Sequence, residues 1–205
     1  MTDDEGGDLR EYFRELYSRN PDPWGLESRW YEERKRAITM AALPRPRFER
    51  ALELGCSIGV LTAQLAPRCD TLVATDFVAA ALDQARVRLD AATNVEFLQS
   101  ALPDQWPGGD FDLIVLSEVG YFLTAEDLRA VGQRMVGSLR PDGVLLLCHW
   151  RPAFDPAPLS GDEVHRIIRA TTRFATLVHH EEDDFVLDVL SRDPTSVAER
   201  AGLRG

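Results

Sequence analysis

Apolar residues recur along this chain in two rhythms, and the alternation between them predicts the order of its elements. Leu9, Tyr12, Phe13 and Leu16 fall at helical spacing and predict a helix over Leu9–Tyr17, which Pro21-Asp22-Pro23 then breaks. Trp30, Tyr31, Ile38 and Leu43 mark a second helical stretch from Trp24 to Leu43, closed by Pro44-Arg45-Pro46. Apolar runs then predict buried strands at Ala51–Leu54, Thr71–Thr75, Val95–Leu98, Phe111–Leu116 and Val144–Cys148. Helical patterns separate them: one begins at Val60 with Leu61, Leu65 and Ala66 on one face, and another spans Val78–Leu89. A third opens at Thr124, three residues before Asp127 in the manner of a capping box, and ends at Leu139. Leu102–Gly109 reads as a loop and Pro141-Asp142-Gly143 as a turn. Gly161–Ala170 reads as helix, and Phe174–His179 with Phe185–Leu190 as an antiparallel pair around Glu181–Asp184. Strands alternating with helices imply an α/β fold whose parallel sheet carries helices on both faces.

The most informative segment lies between the first two strands. Leu54 is followed by Gly55-Cys56-Ser57-Ile58-Gly59, a tight turn whose glycines let backbone approach a ligand closely. The second strand ends in Asp76, a carboxylate placed where a ribose diol would lie. A dinucleotide fingerprint needs a glycine where this chain has Ser57, and Glu53 ahead of the turn repels phosphate but suits a ligand with cationic groups. The pattern is E-x-G-x-x-x-G. The alternative is an ordinary βα turn in another α/β protein.

Length and charge narrow the classes. A chain of 205 residues with 44% hydrophobic content suits one domain: residues 1–7 as a disordered tail, 8–46 as a helical cap, 47–192 as the core sheet, 193–205 as a C-terminal tail. A net charge of −11 argues against nucleic acid as a partner, and no apolar run is long enough to span a membrane. Cys56, Cys69 and Cys148 lack metal or redox spacing, so a reducing, cytoplasmic setting is expected. No metal site is expected, since His179-His180-Glu181-Glu182 has ligand chemistry without a fixed spacing.

The Glu53–Gly59 turn with its distal Asp76 resembles motif I of the class I S-adenosylmethionine-dependent methyltransferases. That resemblance implies a Rossmann-like, seven-stranded, mostly parallel sheet with an antiparallel last strand beneath the helical cap. It implies a cofactor held by Glu53, Gly55, Cys56, Ser57, Gly59 and Asp76, with Phe77 stacking on the adenine. Where such enzymes place an Asp after the third strand, this chain has Gln99-Ser100-Ala101, so Ser100 or backbone at Ala101 must serve. Ser117 and Glu118 end the fourth strand. Glu118 is a candidate to orient or deprotonate an amine, Tyr121 to bond the nucleophile, and His149, after the fifth strand, to act as base. Structural alternatives stand beside each: a helix N-terminal acid for Glu118, core packing for Tyr121 and Phe77, a hydrogen-bonded core residue for His149. Tyr31, Trp150 and Arg151 are candidates for the acceptor wall. Trp24 suits a lid over the cofactor, and Arg34 a partner for its methionine carboxylate.

The segments "DPWGLESRWYEERKR", "LELGCSIGVLTAQLAPRC", "FDLIVLSEVGYFL" and "CHWR" together resemble the nodulation-protein-S methyltransferases. This implies N-methylation of a small acceptor, an amino sugar or oligosaccharide amine; a monomer or homodimer is expected. Two other readings remain open: O-methylation of a natural-product hydroxyl with His149 as base, or a cofactor-binding regulatory or partner protein without turnover.

Overall fold

The computed structural model of the chain describes residues 3–204, and its strands follow the apolar runs. They are β1 (Phe48–Leu54), β2 (Cys69–Asp76), β3 (Val95–Gln99), β4 (Phe111–Ser117), β5 (Leu139–Trp150), β6 (Ala175–Glu181) and β7 (Phe185–Ser191). The helices are α1 (Asp3–Arg19), α2 (Trp30–Ala42), α3 (Val60–Leu65), α4 (Ala79–Arg88), α5 (Ala125–Ser138), α6 (Gly161–Thr172) and the short α7 (Val197–Arg200). All seven strands join one sheet in the order β3-β2-β1-β4-β5-β7-β6. Pairings from β3 to β5 are parallel, and β7 inserts antiparallel between β5 and β6. This is the Rossmann-like methyltransferase topology the resemblance implies, with its order reversing between β1 and β4, where ligands bind open α/β sheets.

Alternation along the central strands feeds two cores. Leu52, Leu54, Ile114, Leu116, Leu145 and Leu147 face one side, beneath α5 and α6. Ala51, Leu113, Val115, Val144 and Leu146 face the other, with Leu43 after α2 and Leu65 of α3. Each of the fully buried leucines contributes roughly 1.5–3 kcal/mol relative to exposure.

Three boundaries differ from the pattern-based expectation. Residues 3–7, expected as tail, belong to α1; Met1 and Thr2 lie outside the described residues. The second helical stretch begins only at Trp30, because the Asp22 carboxylate accepts the N–H groups of Leu26 (2.8 Å) and Glu27 (3.0 Å) and closes a separate turn with Gly25 at φ +68°. Pro141-Asp142-Gly143 is carried within β5: pairing with β4 jumps from Phe111↔Leu139 to Leu113↔Val144, so residues 140–143 leave the ladder that proline cannot join.

Candidate active site

The first βα turn is locked onto β2. The N–H groups of Gly55 and Cys56 both donate to the Thr75 carbonyl at 2.8 Å. The Ser57 N–H donates to Asp76 Oδ2 at 2.9 Å, and the Val78 N–H to Asp76 Oδ1 at 2.9 Å. Burial raises the Asp76 pKa, and these backbone donors pull it back. Each oxygen still has a lone pair to offer. Gly55 has φ +76°, and a Cβ there would stand 2.0 Å from Val119 Cγ2, so the turn and the β4 end close on each other at that point. Gly59 instead serves packing: its Cβ would meet Ala85 Cβ at 2.9 Å, and it does not face the cavity.

Above this turn lies a cavity of about 1080 Å³, lined by the turn, α1, α2 and the ends of β4 and β5. Pockets for small molecules typically run about 300–1,000 Å³, so this one lies at the upper end. Glu53, Gly55, Cys56, Ser57, Asp76, Phe77, Ser100, Ala101 and Ser117 line it, as does Trp24. α1 roofs it: Phe13 and Tyr17 pack on Ile58, Val78 and Ala81, and the Tyr17 hydroxyl lies 2.6 Å from Ser57 Oγ. The Ser100 hydroxyl donates to the Gln105 carbonyl and the Ala101 N–H to Gln105 Oε1 at 3.0 Å, leaving the Ser100 oxygen free only to accept.

Glu53 is the group that asks for a ligand. It is 2% exposed, it lines the cavity, and its Oε2 has no hydrogen-bond partner. Burial pushes its pKa up to about 8, with the neighbouring Thr62 hydroxyl pulling it back and Asp76 adding to the rise. A buried carboxyl oxygen without a donor is costly, so the site fits a group bearing N–H donors or positive charge and disfavours phosphate.

The β4 end forms the opposite wall. Glu118 has φ +59°, which turns its side chain inward. Its Oε1 pairs with the Lys35 ammonium at 2.6 Å, and its Oε2 accepts the Tyr121 hydroxyl at 2.7 Å and the Trp150 N–H at 2.9 Å. Lys35 is 5% exposed and also meets Glu32 at 3.0 Å. Burial lowers its pKa, but Glu118 and Glu32 outweigh that and raise it, so Lys35 is charged. The Tyr121 phenol is raised well above its usual value by burial and by Glu118. Tyr31 and Trp150 meet edge to face at 5.6 Å, and the Tyr31 hydroxyl lacks a partner. Glu118, Tyr121, Tyr31 and Trp150 all line the cavity.

Besides Gly59, three expected site residues lie elsewhere. His149 is fully buried and faces away from the cavity: β5 alternates, sending Cys148 and Trp150 to the cavity and His149 to the other side. Its Nε2 accepts the Gly120 N–H at 3.1 Å, and burial, then His165 and Lys35, hold its pKa well below the usual range. It is not placed to act as base. Arg151 is spent on Asp162 (3.0 Å), Glu181 (3.0 Å) and the Glu182 carbonyl (2.6 Å). Arg34 makes a bidentate pair with Glu182 at 2.8 and 2.7 Å, on the outer face of α2. Among the described residues no His/Cys/Asp/Glu group is arranged to hold a metal ion, and no helix is long and apolar enough to cross a membrane.

The sequence family follows from comparison with known proteins. The family model described as nodulation protein S (NodS) matches residues 2–154. The chain belongs to the nodulation protein S family. It is 32% identical over 148 residues to nodulation protein S of Bradyrhizobium diazoefficiens, covering 71% of this chain and 69% of that protein. It is 34% identical over 135 residues to the Rhizobium tropici protein, covering 64% of this chain and 56% of that relative, little more than half its length. A crystal structure of a candidate methyltransferase from Pseudomonas syringae superposes with TM-score 0.73 at 46% identity, covering 80% of this chain and all of that one. The NodS N-methyltransferase of Bradyrhizobium japonicum, solved with S-adenosylhomocysteine, shares the fold with TM-score 0.74 at 24% identity, covering 88% and 96%.

Within this NodS-family site two residues escaped sequence reasoning. Lys35 and Arg36, not Arg34, turn inward from α2. Arg36 lines the cavity, donates to the Leu26 carbonyl at 2.7 Å and leaves its Nε without a partner. Helical phase was the available signal: Lys35, Arg36 and Thr39 form the buried face of α2, whereas Arg34 lies outside it.

Proposed function

We propose that the chain transfers the methyl group of S-adenosylmethionine to the nitrogen of a small amine, an amino sugar or a metabolite of similar size. The observation that carries this reading is a single cavity with a donor-seeking Glu53 and the Gly55–Asp76 cradle at one end and Glu118 with Tyr121 at the other. Membership of the NodS family, one of whose members is described as an N-methyltransferase, supports it.

The bound cofactor would supply a sulfonium methyl that departs to leave a neutral thioether. Asp76 would hold the ribose and Phe77 an adenine face. Glu53 would meet the methionine ammonium, and Arg36, with its unpartnered Nε, the carboxylate. The roof of Phe13, Tyr17 and Trp24 would shield the bound cofactor from water. On the acceptor side three of the four lone pairs of Glu118 are committed, so one remains to accept an amine N–H. The amine would be held there as the free base with its lone pair aimed at the methyl, and the proton the nitrogen carries after transfer would pass through Glu118 to solvent. Positioning of this kind can supply up to about 7–11 kcal/mol, so no strong base is required. O-methylation loses its candidate base, because His149 is sealed from the cavity.

Incubation with methyl-labelled cofactor and a panel of amino sugars, simple amines and hydroxyl compounds tests the reading. Label on nitrogen supports it; label on oxygen, or none despite cofactor binding, overturns it.

A further inference from the structure

Behind the acceptor wall, groups that methyl transfer does not use form one buried line. The Gly120 N–H donates to His149 Nε2 at 3.1 Å, His149 Nδ1 lies 3.1 Å from His165 Nε2, and His165 Nδ1 lies 2.6 Å from Asp188 Oδ2. His149 and Asp188 have no exposed surface, and His165 is buried between them. At the far end Arg169 and His179 close on Asp188 Oδ1, His179 at 2.8 Å. The Arg169 and His165 bonds hold Asp188 below the usual carboxylate range despite its burial.

The protons on this line have one consistent arrangement. An amide N–H only donates, so His149 Nε2 must be bare. A neutral ring then carries its proton on Nδ1 and donates to His165 Nε2. His165 must in turn carry its proton on Nδ1 and donate to the carboxylate. Because a carboxylate only accepts, Asp188 fixes both tautomers from one end. The other end is tight: a Cβ on Gly120 would stand 3.0 Å from His149 Nε2 and 2.5 Å from Val164 Cγ1. The next residue is Tyr121, whose hydroxyl meets Glu118.

We propose that Asp188, acting through His165 and His149, is a positioning relay that holds the Gly120–Tyr121 turn and so aims the Tyr121 phenol and the Glu118 carboxylate at the acceptor. Its catalytic consequence rests on the methyl-transfer reading; its geometry does not. A pair of space-filling aromatic rings would leave the Gly120 N–H buried without an acceptor and the turn free to shift.

Two measurements decide this. Nitrogen-15 spectra of the labelled wild-type protein should show both His149 and His165 neutral with the proton on Nδ1; a proton on Nε2 of either ring overturns the relay. The second compares His149→Phe, which keeps bulk, with His149→Gln, whose amide oxygen can accept the Gly120 N–H. His149→Phe should lower kcat roughly 10- to 100-fold with cofactor affinity within about threefold, and His149→Gln should recover most of the loss. Equal kcat in the two variants, or a better Phe variant, overturns it. Should the wild-type protein methylate nothing, the methyl-transfer reading falls, and exchange of the Gly120 amide decides the relay: faster in Phe than in Gln supports it, equal rates refute it. If His149→Phe does not fold, the wild-type spectra stand as the test.

Discussion

Glu53 and Glu118 are both carboxylates at strand ends, yet the structure gives them opposite circumstances. Glu53 has an oxygen without a donor and titrates near pH 8, so in the ligand-free protein it is mostly protonated at pH 7. A cationic group bound beside it favours the carboxylate. Cofactor affinity should therefore rise with pH up to about 8, and binding at pH 7 should release close to one proton. Calorimetry in two buffers of different ionisation heat reads this directly, and Glu53→Gln should remove most of the effect. Glu118 instead has three donors, the Lys35 ammonium, the Tyr121 hydroxyl and the Trp150 N–H. Glu118→Gln should leave cofactor affinity within about threefold and lower turnover roughly 100-fold or more. Normal turnover in that variant would return Glu118 to a purely structural role. The sequence made both carboxylates legible by their places at strand ends, but not the partner that holds Glu118. The Lys35–Glu118 pair spans 83 positions, and no spacing announces it.

At the scale of elements, the site is made by the approach of the β1–α3 turn to the end of β4. Gly55→Ala should be severely destabilising, by roughly 2 kcal/mol or more, since it combines φ +76° with a Cβ 2.0 Å from Val119 Cγ2. Adding Val119→Ala should relieve the clash but not the dihedral strain, so urea denaturation should show partial recovery. Full recovery would mean that the backbone conformation carries no strain. Element order and strand identity were legible from periodicity because buried parallel strands read as apolar runs. The face of each strand end was less so: His149 sits one residue from two cavity-lining positions and was expected among them, but the pleat sends it the other way. Arg151 and Arg34 were drawn off by the acidic turn after β6, whose contact with α2 is set by tertiary packing, not local pattern.

For the whole molecule, two buried groups set opposing pH dependences. The Glu53 pKa is raised on folding, so its contribution is full below its unfolded value and is lost as pH rises toward 8. The His149 pKa is depressed, so its contribution is present above about 6.5 and is lost as pH falls below that. Below pH 6.5 the two partly cancel. Between pH 6.5 and 8 His149 no longer opposes Glu53, and the ligand-free protein should lose roughly 2 kcal/mol of stability across that window. Urea midpoints should show the loss in the wild-type protein and its absence in Glu53→Gln.

The functional reading depends on the β1–α3 turn receiving an adenosyl sulfonium. Calorimetric titration with S-adenosylhomocysteine is the direct test. One molecule should bind per chain, the dissociation constant should rise at least tenfold in Asp76→Ala (about 1.4 kcal/mol), and nicotinamide dinucleotide and nucleoside triphosphate should not compete. Occupation of the cavity by either of those, with S-adenosylhomocysteine ignored, would contradict the account.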